Sequence, residues 1–135
     1  MNQNNSPLPH KVIGVAVIRN EQGQILIDRR LPEGEMGGLW EFPGGKIEAH
    51  ETIEECIKRE IKEELDINIE IGEHLTTVDY TYTKSRVTLI VHNCLHISGI
   101  PKPIECDEIH WVNIKDLKDY TFPEANKQII SVLEN

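Results

Sequence analysis

Cysteine, positive charge and long apolar runs are all scarce in this 135-residue sequence, and each shortage excludes something. Cys56, Cys94 and Cys106 are odd in number and include no C-x-x-C pair, so neither a disulfide framework nor a zinc site is indicated. They read as core thiols of a protein kept in a reducing cytoplasm. Lysine and arginine number 14 against 23 acidic residues, a net charge of -9. That balance argues against a binder of nucleic-acid backbone, which spreads basic residues over a surface to displace counterions. A polyphosphate ligand would have to arrive with its own cations. No stretch reaches transmembrane length, and the first ten residues, MNQNNSPLPH, have neither a positive n-region nor an apolar h-region. The expectation is a cytoplasmic protein without a membrane partner. Internal repeats and low-complexity tracts are absent as well. What remains, 39% hydrophobic and 27% charged residues, fits one globular domain long enough to bury a core.

The most informative stretch is residues 44–67, GGKIEAHETIEECIKREIKEELDI. Thr52 followed by Glu55 has capping-box spacing and predicts a helix from Ile53. At roughly 100° per residue, Ile53, Ile57, Ile61 and Leu65 form one apolar stripe. Glu60, Glu63 and Glu64 gather within an arc of about 100° on the same wheel, with Glu64 at the edge of the stripe. Like charges that close, partly withdrawn from water, repel by several kcal/mol, and desolvation adds to the cost. Lys58 and Lys62 point to the far side and Arg59 reaches only one flank, near Glu63. A hard divalent cation fits the gap, because it takes oxygen ligands and keeps some water. The alternative is an ordinary solvated helix face. Upstream, Gly44 and Gly45 are expected to free the backbone for unusual conformations and bring its carbonyls close to a ligand.

The remaining elements follow from period and punctuation. Residues 1–10 read as a flexible tail. Residues 11–19, KVIGVAVIR, form a β-branched run suited to a strand buried on both faces, and residues 24–30 return from a turn at residues 20–23. Adjacent strand residues face opposite ways, so only one of Arg29 and Arg30 can meet a given ligand. Residues 31–38, LPEGEMGG, make a Gly-rich loop that suggests a lid. Trp40 and Phe42 are candidates to stack on a base, or else core residues. Residues 68–72 read as a short strand, residues 75–82 and 86–97 as two longer ones, and residues 109–114 as a last strand. A helical turn at residues 115–119 precedes a closing helix over residues 123–133, with Pro123 at its first position. Strands interspersed with two helices predict an α/β fold.

Gly45, Glu51, Arg59, Glu60, Ile61, Glu63, Glu64 and Ile67 match eight of the nine specified positions of the pattern G-x5-E-x7-R-E-U-x-E-E-x-G-U, U being aliphatic. This resembles the box of the Nudix hydrolases. Asp66 stands where that pattern has glycine, at a helix end that favours left-handed backbone, which Asp tolerates at a cost of about 1 kcal/mol or less. The likeness extends to the MutT branch of the family over residues 11–130, through Arg29-Arg30, LWEFPGGKIE and FPEAN. It implies a Nudix-type α/β/α sandwich with a mixed β-sheet and a loop-helix-loop box, residues 11–135 forming a single domain.

The resemblance also implies a site. Gly44 (through its carbonyl), Glu60, Glu63, Glu64 and Glu105 would be the ligands of Mg²⁺, with Mn²⁺ as the alternative ion. Glu105 stands six residues before Trp111, and Glu108 competes with it. Arg59 would orient the carboxylates, Glu51 included. The general base stays open among the acids. Arg30, Phe42, Lys46, Tyr82 and Asn126 are the candidate substrate contacts, and Ile13 is a further pocket candidate. Asn126 can pair with a purine edge through its amide, or cap the closing helix locally. The implied activity is hydrolysis of nucleoside triphosphates to monophosphate and pyrophosphate, with an oxidised purine such as 8-oxo-dGTP preferred. Two alternatives stand beside it: the same chemistry on (d)CTP or another nucleotide, and a module that senses a nucleotide without hydrolysing it. The implied partner is a small-molecule nucleotide, not a nucleic-acid polymer, and the implied state is a monomer or weak dimer.

Overall fold

The computed structural model describes residues 7–135. Seven strands form one mixed sheet: β1 (His10–Arg19), β2 (Ile25–Arg29), β3 (Trp40–Glu41), β4 (Gly44–Lys46), β5 (Asn68–Thr81), β6 (Arg86–Ser98) and β7 (Glu108–Val112). Helix α1 (Ile53–Leu65) covers one face and α2 (Glu124–Leu133) the other, with a 3-10 helix at Ile114–Asp119. Most of the expected tail, residues 1–6, lies outside the described residues, and the first strand takes in His10.

β1 is the hinge of the sheet. It runs parallel to β6 from His10 opposite Arg86 to Arg19 opposite Leu95. Its Val15 and Val17 join the core under α2, while Ala16 and Ile18 join the core under α1, so it is buried on both faces as its continuous apolar run predicts. β1 meets β2 only where Arg19 faces Ile25. The two strands then part, and residues 40–46 enter the gap. Asp28 pairs with Glu41 and Arg29 with Trp40 on the β2 side, and Val15 pairs with Gly44 and Gly14 with Gly45 on the β1 side. This wedge leaves β1 by one edge of the opening and β2 by the other, and a cleft forms there.

α1 begins where its cap dictates. The Thr52 hydroxyl accepts from the Glu55 amide and the Glu55 carboxylate accepts from the Thr52 amide. Ile57, Ile61 and Leu65 are fully buried against Ala16, Ile18 and Leu26. Burying each stabilises by roughly 1.5–3 kcal/mol, which fixes the helix and therefore its acids. Asp66 ends it in the left-handed region at φ 55°, with its amide donating to the Lys62 carbonyl.

Several expectations change. The strands expected at residues 68–72 and 75–82 are one strand, β5, whose register shifts near Ile71 and His74. A bulge breaks the alternation that sequence reading relies on and so mimics a gap. β7 stops at Val112, and Ile114 already belongs to the 3-10 helix. Pro123 is the cap of α2, extended at ψ 156°, and the first helical residue is Glu124. Cys56 and Cys94 are buried free thiols and Cys106 is half-buried.

Candidate active site

The acids of α1 divide between two surroundings. On one side stands Arg59. Its guanidinium donates twice to Glu51, from Nε to Oε2 at 2.5 Å and from Nη2 to Oε1 at 2.9 Å. Nη1 donates to Glu60 and to Glu63, each at 3.1 Å, and Nη2 reaches the Lys46 carbonyl at 3.2 Å. The expectation that Arg59 reaches only one flank is thus corrected. Bidentate pairing suits the planar fork of a guanidinium. The same hydrogen bonds hold the Glu51 carboxyl down to about 2.

On the other side Glu64 faces the cleft. Burial, and then the charges of Glu41, Glu60 and Glu105, push its carboxyl up to about 9. Oxygen donors crowd there with their strongest influences all opposing ionisation. This is the chemistry that a hard divalent cation relieves, so the donor set fits one. The carboxylates nevertheless stand apart: among the described residues, no three His, Cys, Asp or Glu side chains form a group that could hold an ion in this conformation.

The diglycine has a steric reason rather than the expected conformational one. Neither Gly44 nor Gly45 takes a positive φ. A Cβ on Gly45 would collide with the Glu60 carboxyl, and one on Gly44 with the Gly14 carbonyl. Backbone therefore approaches both the acids and β1 more closely than any side chain permits.

The cleft has a volume of about 400 Å³. It is lined by Gly44, Glu64 and Glu105, by Arg30 and Glu41, and by Tyr82, Ala125 and Asn126; Ile13 and Phe42 also line it. Residues 33–36 of the Gly-rich loop form a rim, where Lys11 Nζ stands 3.5 Å from Glu35. The two arginines diverge. Arg30 turns into the cleft, with Nη1 donating to Glu41 at 2.8 Å and Nε to the Glu35 carbonyl at 3.0 Å. Arg29 turns away to Asp107 at 2.5 Å and Glu108 at 3.4 Å, over the Trp40 ring. Glu108 also meets His110 at 3.0 Å and is outside the cleft, unlike its competitor Glu105.

Asn126 does not cap its helix. Its Oδ1 accepts from the Phe42 amide at 3.2 Å, a link across 84 residues. Tyr82 supplies what a cap would: its hydroxyl accepts from the Ala125 amide at 2.9 Å and anchors the start of α2. The expected contacts Phe42 and Lys46, and Trp40, for which stacking and core packing were both open, sit differently. Phe42 is 3% exposed, with its ring stacked on Phe122, so little face is left for a base. Trp40 is buried against His110 and Tyr120 and does not line the cleft. Lys46 has an exposed side chain outside the cleft and engages Arg59 only through its carbonyl. Glu60 and Glu63 stand on the Arg59 side and do not line the cleft either.

Sequence reasoning passed over Asp28, Glu41 and Lys11. Asp28 carried a signal. It sits two residues after Leu26, which packs under α1, so the alternation of a strand turns its carboxylate toward the same buried layer.

Comparison with known proteins gives the family to which the wedge, the box helix and the cleft belong. A model of the NUDIX domain matches residues 14–132, and the chain belongs to that family. It is 34% identical to the 8-oxo-dGTP diphosphatase of Escherichia coli K12 over 122 residues, 90% of this chain and 95% of that protein. It is 40% identical to the CTP pyrophosphohydrolase of the same organism over 112 residues, 83% of each. The crystal structure of a MutT protein from Methanosarcina mazei Go1 superposes with a TM-score of 0.85 at 28% identity, covering 96% of both chains. The protein is a Nudix hydrolase of MutT type, acting on phosphoanhydride bonds of small-molecule substrates, and such enzymes generally use divalent metal ions.

Proposed function

We propose that this chain is a Mg²⁺-dependent nucleoside triphosphate pyrophosphohydrolase, releasing the monophosphate and pyrophosphate, with an oxidised purine such as 8-oxo-dGTP as its preferred substrate. The observation that carries the reading is Asn126. Its amide oxygen is taken by the Phe42 amide, which leaves the Nδ2 donors for a base in the same cleft that Glu64 and Glu105 line. A fixed amide discriminates bases because a wrong edge leaves a buried polar group unpaired. The likeness to 8-oxo-dGTP diphosphatases supports the same choice.

The candidate metal ligands are the Gly44 carbonyl and the carboxylates of Glu60, Glu63, Glu64 and Glu105; Mn²⁺ is the alternative ion. A bound cation would neutralise charge on the phosphate oxygens and acidify a water. Arg30 contributes a positive charge to the phosphate chain from the β2 side. Arg59 pairs with Glu51, Glu60 and Glu63 and orients them at the helix edge. Tyr82 holds the start of α2, and hence Asn126, in place. The setting proposed is nucleotide-pool sanitation in the cytoplasm, hence mutation avoidance, by a monomer or weak dimer formed from one domain, with no nucleic-acid polymer or membrane as partner.

The second reading takes CTP or dCTP as substrate and is favoured by the 40% identical relative. A sensor without catalysis has no need of the complete acid set. Pyrophosphate release from 8-oxo-dGTP, dGTP, CTP and dCTP, with Mg²⁺ and with Mn²⁺, separates these. The expected result is a kcat/KM highest for 8-oxo-dGTP, and about tenfold erosion of that preference in Asn126→Ala. Highest kcat/KM on CTP moves the assignment to the second reading, and no release from any of the four supports the sensor.

A further inference from the structure

Asp28 is the residue the proposed mechanism leaves unexplained. It is 1% exposed, and among the described residues its two carboxylate oxygens are the buried side-chain atoms without a hydrogen-bond partner. An ionised carboxylate does not persist in such a place without compensation; it takes up a proton instead. The groups facing it are Glu41 from β3, Glu64 from α1, Arg30 just beyond β2 and Cys106 from the loop before β7. Asp28 lies opposite Glu41 in the antiparallel register, where side chains of facing residues neighbour one another, and Glu41 is the strongest carboxyl influence on it. Glu41 in turn accepts from Arg30 at 2.8 Å, and Arg30 lines the cleft.

We propose that Asp28 is a positioning residue for the substrate's phosphates: it donates a hydrogen bond to the Glu41 carboxylate, which grips Arg30 and holds the guanidinium in the cleft. Donation requires that Asp28 keep its proton, and burial beside Glu41 favours that form. An acid that is neutral supplies one donor, and Glu41 is an acceptor directly across the strand pair. The arrangement fixes Glu41 from behind, so that Arg30 does not swing its partner out toward water. Asp28 on β2, Glu41 on β3 and Arg30 just past the end of β2 thus form one ladder, buried at one end and open to the cleft at the other. The proposal rests on the functional reading in which Arg30 meets the phosphate chain.

The test measures KM and kcat for 8-oxo-dGTP with Mg²⁺ in Asp28→Val, Asp28→Asn, Arg30→Ala and the double variant Asp28→Val/Arg30→Ala. Arg30→Ala is expected to raise KM about tenfold, and Asp28→Val to do the same with kcat changed less than about threefold. The double variant should be no worse than Arg30→Ala alone, the mark of residues acting through one another. Asp28→Asn keeps a donor and should restore KM to within about twofold of the unmodified protein. A raised KM in Arg30→Ala with an unchanged KM in Asp28→Val overturns the ladder and leaves the Arg30 contact standing. An unchanged KM in Arg30→Ala overturns both. Asp28→Asn behaving like Asp28→Val removes the donor logic. Should Asp28→Val not fold, the carboxyl ¹³C resonance of Asp28 in the unmodified protein decides: at neutral pH a protonated carboxyl supports the ladder and an ionised one overturns it.

Discussion

Two groups of acids share the helix α1 and differ in what answers their charge. Around Arg59, Glu51, Glu60 and Glu63 are paired with one guanidinium, and Glu51 is held down to about 2 by it. Toward the cleft, Glu64 is pushed up to about 9 by burial and by Glu41, Glu60 and Glu105. The first group is complete within the protein; the second is not. Charge left unanswered inside a cleft marks where an external cation belongs, whereas charge answered internally marks the scaffold around it.

The comparison breaks most visibly by exchanging a carboxylate for its amide on each side. Glu64→Gln keeps the shape of a partly buried side chain and is expected to cut kcat at least about a hundredfold while leaving the melting temperature unchanged or raised. An unaltered kcat would remove Glu64 from the metal set. Glu63→Gln, at the exposed edge between the two groups, is expected to lower kcat similarly, with little change in folding, if the cation draws Glu63 across from Arg59.

Stability against pH sharpens the same contrast. Glu64 has a folded value raised above its ordinary 4.5, so the native state binds the extra proton and its stability contribution is full below about pH 4.5 and lost as pH rises toward about 9. Metal-free protein should therefore melt progressively lower across that window, and added Mg²⁺ should restore the loss at the alkaline end. Glu64→Gln should flatten both responses in a thermal scan. Arg59→Ala acts on the other group and is expected to lower the melting temperature by roughly 5 °C, because it strands three carboxylates beside one another. The smallest effect is at Glu51. Its folded value is depressed, so its contribution is present above about pH 4.5 and disappears as pH falls toward about 2. Glu51→Gln should show a shallower acid limb than the unmodified protein.

Local chemistry was legible in the chain, and long-range compensation was not. The Thr52–Glu55 box, the apolar stripe of α1, the two-faced burial of β1 and the left-handed Asp66 all depend on residues a few positions apart, and each appears where spacing predicts. The divergence of Arg29 and Arg30 follows equally from strand alternation. By contrast, a helical wheel contains neither Glu51, which only the family resemblance linked to Arg59, nor the Lys46 carbonyl, which nothing in the sequence linked to it. The bulges of β5 disguise one strand as two. The ring that Phe42 packs on belongs to Phe122, 80 positions later, a neighbour that spacing does not reveal. Asp28 needed only the observation that an acid interrupts an apolar strand on its inward side, but its partner Glu41 becomes visible only once β3 is seen beside β2.

The wedge of residues 40–46 has a consequence for how such a chain can diverge. One short piece of backbone both zips the parting strands together and forms the wall nearest the acids, with no room for a side chain at Gly44 or Gly45. Altering it to abolish turnover would unseam the sheet at the same stroke. A descendant that kept its shape while giving up hydrolysis would have to change the carboxylates of α1, and one that changed its diet would have to change the rim at residues 33–36 or the start of α2. Inheritance of the wedge therefore says that the protein must fold, and only the acids beside it say whether it still cuts.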